Sequence, residues 1–228
     1  MLSKTRTFFL SSILFATVVS AFALDLAEEN AAADVVHSNG KTALMLAAKE
    51  RERHKVERLL ELGADINKAN NNGGTPIMYA ALGGDIEILR LFVQRGANLN
   101  AIARNGWTAL MIAAAKGFAD ITRELLDNEA NPNLQDVYLW SPLMRAVYED
   151  RELVVKQLVA SSRLDINHRG ENGMTALHLA TGLGYTHLAR ILLDHGADKT
   201  IRDDDGRIPY DIAQEANAVK LLSILRTN

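Results

Sequence analysis

Apolar and polar positions along most of this chain follow two alternating helical patterns. One is short and rich in alanine, as in Ala109 to Ala115. The other carries a leucine pair, as at Leu59-Leu60, Leu125-Leu126 and Leu192-Leu193, with further apolar residues three or four positions earlier. That spacing lines apolar side chains along one stripe of a helix. Small side chains on the alanine-rich helices let neighbouring elements approach closely. The pattern predicts pairs of short helices, the second of each pair amphipathic, with little strand.

The pair recurs at a fixed interval. Asn39-Gly40-Lys41-Thr42-Ala43-Leu44 returns as Asn72-Gly73-Gly74-Thr75-Pro76-Ile77, as Asn105-Gly106-Trp107-Thr108-Ala109-Leu110 and as Asn172-Gly173-Met174-Thr175-Ala176-Leu177. Weaker copies are Leu139-Trp140-Ser141-Pro142-Leu143 and Asp205-Gly206-Arg207-Ile208-Pro209-Tyr210. With Thr42, Thr75, Thr108, Ser141, Thr175 and Ile208 as markers, the steps are 33, 33, 33, 34 and 33 residues. A second phrase keeps the same beat: Gly63-Ala64-Asp65-Ile66-Asn67, Gly96-Ala97-Asn98-Leu99-Asn100, Ala130-Asn131-Pro132-Asn133, Leu164-Asp165-Ile166-Asn167 and Gly196-Ala197-Asp198. The local chemistry suits helix pairs joined by turns. Asn-Gly and Asp-Gly favour turns with positive φ. Thr42, Thr75, Thr108 and Thr175 stand where a hydroxyl caps a helix. Pro76, Pro142 and Pro209 follow the cap, where a missing N–H costs nothing. Gly63, Gly96 and Gly196 fit left-handed helix ends.

A 33-residue period carrying a Thr-Pro-Leu-His-like phrase resembles the ankyrin repeat, and the resemblance runs from about Val36 to the end of the sequence. It implies an all-α solenoid of stacked helix-turn-helix units with tight turns between repeats. The expected organisation is a signal peptide over 1–23, a capping half-repeat over 24–36 and six repeats at about 37–69, 70–102, 103–135, 136–169, 170–202 and 203–228. The family's histidine is present only as His178; Met45, Met78, Met111, Met144 and Asp211 take its place elsewhere. Unbranched methionine fills space between stacked helices; a methionine-lined groove would need these side chains exposed. The fourth repeat departs furthest. Leu139 replaces its turn glycine, Asp150 stands where three other repeats have glycine, and a one-residue insertion falls near Ser161 to Arg163.

The amino-terminal stretch follows a different pattern. Lys4 and Arg6 precede an apolar run from Phe8 to Val19, and Ala21-Phe22-Ala23 follows, with polar and acidic residues from Asp25 to Glu29. This is the layout of a cleavable export signal, and the run is short for a membrane span. Removal of 1–23 would move the formal charge from −3 to −5 and leave no stable membrane span. The charge gives no reason to expect nucleic acid as a partner. With no cysteine in the chain, disulfides, thiolate metal sites and a cysteine nucleophile are excluded. The chain is similar to the small periplasmic ankyrin proteins of Gram-negative bacteria. That resemblance implies an exported, periplasmic or secreted protein, some members being tied to oxidative-stress defence beside a catalase.

No catalytic constellation stands out. The six histidines form no His-x-x-x-His or His-Glu-x-x-His pattern, and there is no phosphate loop or Gly-x-Ser-x-Gly elbow. Asp203-Asp204-Asp205-Gly206 lacks the spaced ligands of a calcium loop and reads as a polar turn. No cofactor, metal or enzyme activity is expected. The charged run from Glu50 to Lys55 reads as a self-compensating solvated surface.

Binding remains. In the ankyrin family, partners dock on turn tips and on the face of the first helices, and the residue before each marker lies there: Lys41, Gly74, Trp107, Trp140, Met174 and Arg207. Both tryptophans take this position in consecutive repeats. Tyr138, Leu139 and Tyr148 lie nearby, with Arg104, Lys116, Arg145 and Glu149 as a charged rim. Such aromatic clusters mark binding hot spots. The alternative is that each tryptophan packs flat on a neighbouring turn and is structural. The expected function is that of a monomeric, non-enzymatic protein-binding module outside the cytoplasm. Two other readings are a secreted effector or immunity-type protein that binds a host or rival protein, and an enzyme or ligand binder using a groove pocket. If the tryptophans serve binding alone, their truncation should leave thermal stability nearly unchanged.

Overall fold

A computed structural model describes residue 37 and residues 39–226. The expected signal peptide and capping half-repeat, 1–23 and 24–36, lie outside the described residues.

Among the described residues twelve α-helices form six pairs, with one 3₁₀ turn at Glu171–Gly173 and no β-strand. The first helices are α1 (Ala43–Lys49), α3 (Pro76–Gly83), α5 (Ala109–Lys116), α7 (Pro142–Tyr148), α9 (Ala176–Gly182) and α11 (Pro209–Glu215). The second helices are α2 (Arg53–Glu61), α4 (Ile86–Gln94), α6 (Ala119–Asp127), α8 (Glu152–Val159), α10 (Thr186–Asp194) and α12 (Val219–Leu225). Each helix touches its own partner, successive first helices touch along the whole stack, and successive second helices touch from α4 onward. None is long and apolar enough to cross a membrane.

One apolar core runs the length of the stack. Ala47, Ala48, Ala80, Ala81, Ala113 and Ala114 are fully buried between first helices, where larger side chains would push the layers apart. Of each leucine pair, Leu59, Leu125 and Leu192 are buried, while Leu60, Leu126 and Leu193 pack at the edge. No single pair could bury this surface alone, so stability comes from neighbours.

Caps follow the sequence with one exception. The hydroxyls of Thr42, Thr108, Ser141 and Thr175 accept backbone N–H groups three residues on, at 3.2, 3.2, 3.4 and 3.4 Å. Thr75 does not: the Met78 N–H turns to the Thr75 carbonyl at 3.0 Å, and Thr75 Oγ1 is buried without a partner among the described residues. Gly63, Gly96 and Gly196 have φ of 83°, 79° and 90°, as left-handed helix ends require.

Two rows of hydrogen bonds tie the units together. In the loops, Asn67, Asn100, Asn133 and Asn167 each accept, through Oδ1, a backbone N–H of the next loop, at 2.8, 2.7, 2.8 and 2.8 Å. This explains the asparagine that closes the first four of the five loop phrases. At the tips, backbone N–H groups of Asn71, Arg104, Val137, Glu171 and Asp204 donate to carbonyls of the preceding tip. The extra residue of the fourth repeat is absorbed in its loop. There the Arg163 carbonyl accepts from Asn133 Nδ2 at 2.7 Å, and Arg163 Nη2 donates to the Leu126 carbonyl at 2.9 Å.

Met45, Met78, Met111 and Met144 are buried, which removes the methionine-lined groove. Their position has a capping role. Met45 Sδ accepts the Thr42 N–H at 3.5 Å, and in the fifth repeat His178 Nδ1 accepts the Thr175 N–H at 3.2 Å. The other ring nitrogen of His178 reaches the Arg207 carbonyl at 3.2 Å, an arrangement the neutral Nε2–H tautomer satisfies. Burial lowers the His178 pKa below its usual value, with the Arg207 carbonyl and Asp203 opposing weakly. The unfolded chain therefore binds this proton more readily, and stability falls as pH drops through about 6.5, the unfolded histidine value. A melting temperature measured from pH 7.5 to 5.5 should decline. His178→Met, which copies the earlier repeats, should flatten that slope.

Candidate protein-binding face

Each tip is a five-residue turn closed by a backbone bond from its first N–H to its fifth carbonyl, as in Asn70 to Gly74, Ala103 to Trp107 and Asp136 to Trp140, at 2.9, 2.9 and 3.1 Å. The fourth residue takes positive φ: 80° at Gly106, but 58° at Leu139. A left-handed backbone costs a leucine roughly 1–2 kcal/mol. Leu139 is 51% exposed, so its partial burial does little to offset that cost in the free protein. Leu139→Gly should leave urea stability unchanged or raise it by up to about 1 kcal/mol, since relief of strain competes with greater freedom in the unfolded chain. A fall of more than about 1 kcal/mol would assign Leu139 a structural role.

The fourth tip is organised by Asp136, whose side chain is fully buried. Its Oδ1 accepts the N–H groups of Tyr138 at 2.9 Å and Trp140 at 3.0 Å. Its Oδ2 accepts from Arg145 Nε at 2.7 Å and from Arg145 Nη2. So fixed, the Arg145 guanidinium lies 4.6 Å from the Trp140 ring centre, 5.0 Å from Trp107 and 5.9 Å from Tyr138. Trp140 meets Tyr148 edge-on at 5.2 Å. One cation thus sits among three rings, each contact worth about 0.5–2 kcal/mol depending on desolvation.

The expected site residues separate into three groups. Trp107, Tyr138, Trp140, Tyr148 and Arg145 come together. Arg145, expected on the rim, is at the centre, with 15% of its side chain exposed. The two tryptophans are joined through Arg145. Tyr138 and Tyr148 are 54% and 47% exposed, and Leu139 stands beside them. Arg104 is exposed and turns toward a groove on the other side of Trp107. Lys116 is exposed at the end of α5, and Glu149 lies 3.9 Å from Arg151. Trp140 also packs on the edge of the core, so its truncation must cost stability; Trp107 stands outside that packing. The expectation of nearly unchanged stability is therefore kept for Trp107 alone, apart from its contact with Arg145.

Sequence reasoning missed Asp136. A signal was available: Asn70 and Asp203 hold the same place in other tips and make the same bonds, Asn70 to the N–H groups of Asn72 and Gly74, Asp203 to those of Asp205 and Arg207. Asp203 also grips the Arg207 guanidinium, at 3.0 and 2.9 Å, so the Asp203 to Gly206 segment is a polar turn. Burial opposes the charge of Asp203, but the Arg207 N–H and guanidinium outweigh it and hold the carboxyl below the usual range.

Beyond Trp107 the first three repeats enclose a groove of about 640 Å³, walled by Lys41, Tyr79, Leu82, Arg104 and Trp107. Sequence reasoning missed Tyr79 as well. Among the described residues no cluster of three or more His, Asp or Glu side chains is placed to hold a metal ion.

Stacked helix pairs with cross-linked tips and an exposed aromatic face define a repeat solenoid of the interaction class. The chain belongs to the ankyrin-repeat family, whose profile matches in three overlapping copies over residues 17–103, 84–170 and 143–228. It is similar in structure to the ankyrin repeat protein EF0377, with a TM-score of 0.75 and 29% identity over 83% of this chain and 98% of that one. It also resembles a chain of the Bdellovibrio bacteriovorus predatory endopeptidase Bd0816 in complex with immunity protein Bd3460, with a TM-score of 0.72 and 27% identity, covering 81% of this chain and 97% of that one. Among curated relatives, mouse protein phosphatase 1 regulatory subunit 27 is 41% identical over 56 residues, or 25% of this chain. The match spans 36% of that subunit, about a third of its length.

Proposed function

We propose that this chain is a non-enzymatic protein-binding module that acts outside the cytoplasm and engages its partner through the tips and first helices of the third and fourth repeats. Ankyrin repeats are protein-interaction modules, and a relative of this chain is a phosphatase regulatory subunit. The observation that carries the reading is the Arg145-centred cluster. A buried carboxylate holds a cation among three rings, and the outer faces of Tyr138, Leu139 and Tyr148 remain open to solvent. Ordered aromatic anchors with little left to lose in entropy are what hot spots require. Export is proposed from Lys4, Arg6, the apolar run Phe8 to Val19 and Ala21-Phe22-Ala23.

The test is affinity capture from host periplasmic extract with the protein recovered from that host. An amino terminus at Leu24 supports export, and one at Met1 on cytoplasmic protein overturns it. Trp107→Ala should weaken binding of the captured partner at least about tenfold, as truncated anchors do, with stability lowered by no more than its contact with Arg145, about 0.5–2 kcal/mol. An unaltered affinity would move the binding face elsewhere. A second reading, an immunity-type protein, is favoured by the likeness to the endopeptidase–immunity complex. It predicts that the captured partner is a hydrolase whose activity falls on binding.

A further inference from the structure

We propose that the groove of the first three repeats takes an extended acidic peptide segment of the protein partner, seating one apolar side chain on its floor. This rests on the reading of the chain as a protein-binding module and names the chemistry it recognises.

The groove exists because of a missing side chain. At the tip position where later repeats carry Trp107, Trp140, Met174 and Arg207, the second repeat has Gly74. A Cβ there would stand 3.0 Å from Asn70 Nδ2 and 3.4 Å from the Tyr79 ring. Its absence leaves that side of a groove of about 640 Å³ clear, room for a few residues of chain. The floor includes Leu82, a large apolar side chain left 37% exposed.

The walls are cationic. Lys41, Lys49 and Arg104 line the space, and no Asp or Glu does. This contrasts with a formal charge of −3 for the whole chain. Lys49 has Glu50 at 3.3 Å, an exposed pair that screens it only weakly. Arg104 has no carboxylate partner among the described residues, and Lys41 lies 5.8 Å from the Tyr79 ring centre. Tyr79 adds a directed donor. Its hydroxyl accepts from Asn70 Nδ2 at 2.8 Å, while Asn70 Oδ1 is held by the N–H groups of Asn72 and Gly74, at 2.8 and 2.9 Å. The tyrosine proton has no acceptor among the described residues and is left to donate to a carboxylate. Burial raises the Tyr79 pKa, so the hydroxyl keeps that proton. Three flexible cations, a fixed hydroxyl and an apolar floor match alternating carboxylates around a leucine better than a sugar–phosphate backbone, whose bases would need stacking partners along the whole track.

The test is fluorescence anisotropy with the full chain and three labelled octapeptides: one leucine flanked by Asp and Glu, the same with Asn and Gln, and the same with Lys. The acidic peptide should bind at least about tenfold tighter than its amide counterpart, and added salt should weaken it. Lys41→Glu and Arg104→Glu should each reduce affinity about tenfold or more, Tyr79→Phe about threefold, and Lys220→Glu, an equal charge change on the exposed face of the last helix, little. Equal binding of all three peptides, or binding that ignores Lys41→Glu and Arg104→Glu, overturns the proposal. So does a single-stranded oligonucleotide that displaces the acidic peptide at equal concentration. The rival occupant to be tested is the chain's own acidic stretch, with Asp25, Glu28, Glu29 and Asp34. If the acidic peptide binds only after these four become amides, the groove serves that stretch and the proposal falls. Partner capture that survives while the peptides fail would sink this inference alone. Failure to capture any partner would sink the broader reading.

Discussion

Asp136→Ala should destabilise the protein by about 3 kcal/mol or more, the largest effect of any single polar substitution on the binding face. Four donors converge on this carboxylate: two tip N–H groups and two guanidinium positions of Arg145. Alanine leaves the N–H groups without an acceptor and Arg145 as a mostly buried charge without a counter-ion. Asp136→Asn separates the two losses. Its amide oxygen can still receive the N–H groups of Tyr138 and Trp140, as Asn70 does in the second tip, so the tip stays satisfied while Arg145 loses its counter-ion and both hydrogen bonds to Oδ2, at about 1.5–3 kcal/mol. Urea unfolding of the two variants measures the difference. Near-equal, small losses from both would mean that Arg145 holds its place without Asp136.

Gly106→Ala should cost about 3 kcal/mol, far above what an exposed glycine normally bears. Two penalties combine. Gly106 has φ of 80°, where alanine is strained by roughly 1–2 kcal/mol. Its Cβ would also fall 2.3 Å from Asp136 Cα and 2.7 Å from the Asp136 carbonyl carbon, backbone atoms with no freedom to swing aside. Gly206 provides the control. It has the same turn position and φ of 81°, with nothing within 4 Å of its Cβ. Gly206→Ala should therefore cost only the strain, about 1–2 kcal/mol. Thermal melts of the pair read the steric part directly. Because the displaced segment carries Asp136, Gly106→Ala should also quench or shift tryptophan emission, which Gly206→Ala should leave alone.

The fold was legible because each repeat faces the same neighbours, so the same packing demands recur every 33 residues or so and leave the same residues behind. Alanines between first helices, prolines after caps and glycines at helix ends all follow from that. Thr75 was misread because a hydroxyl at a cap position reports only an opportunity; the Met78 N–H took the backbone carbonyl instead. The aromatic part of the candidate site was visible in the shared position of Trp107 and Trp140. Its organising ion pair was not, because Asp136 and Arg145 lie on different elements and only the closed turn brings them together. The groove was invisible for a related reason. Gly74 reads as one more turn glycine until Tyr79 and Arg104 are seen to surround the space it leaves.

The two rows of inter-repeat bonds bear on mechanics. Asparagine side chains fasten neighbouring units at the loop edge, and backbone bonds fasten them at the tip edge, on either side of a dry core. A plate held along both margins resists bending toward either. To open or tighten its curvature, the stack must stretch one row or crowd the other at every joint. In this structure those joints set the separation between Tyr79 and Tyr148. A partner that spans both must carry the matching separation already, or be flexible enough to find it. If the proposed aromatic face and groove engage one partner, the array acts as a gauge that reads length as well as charge and aromatic contact.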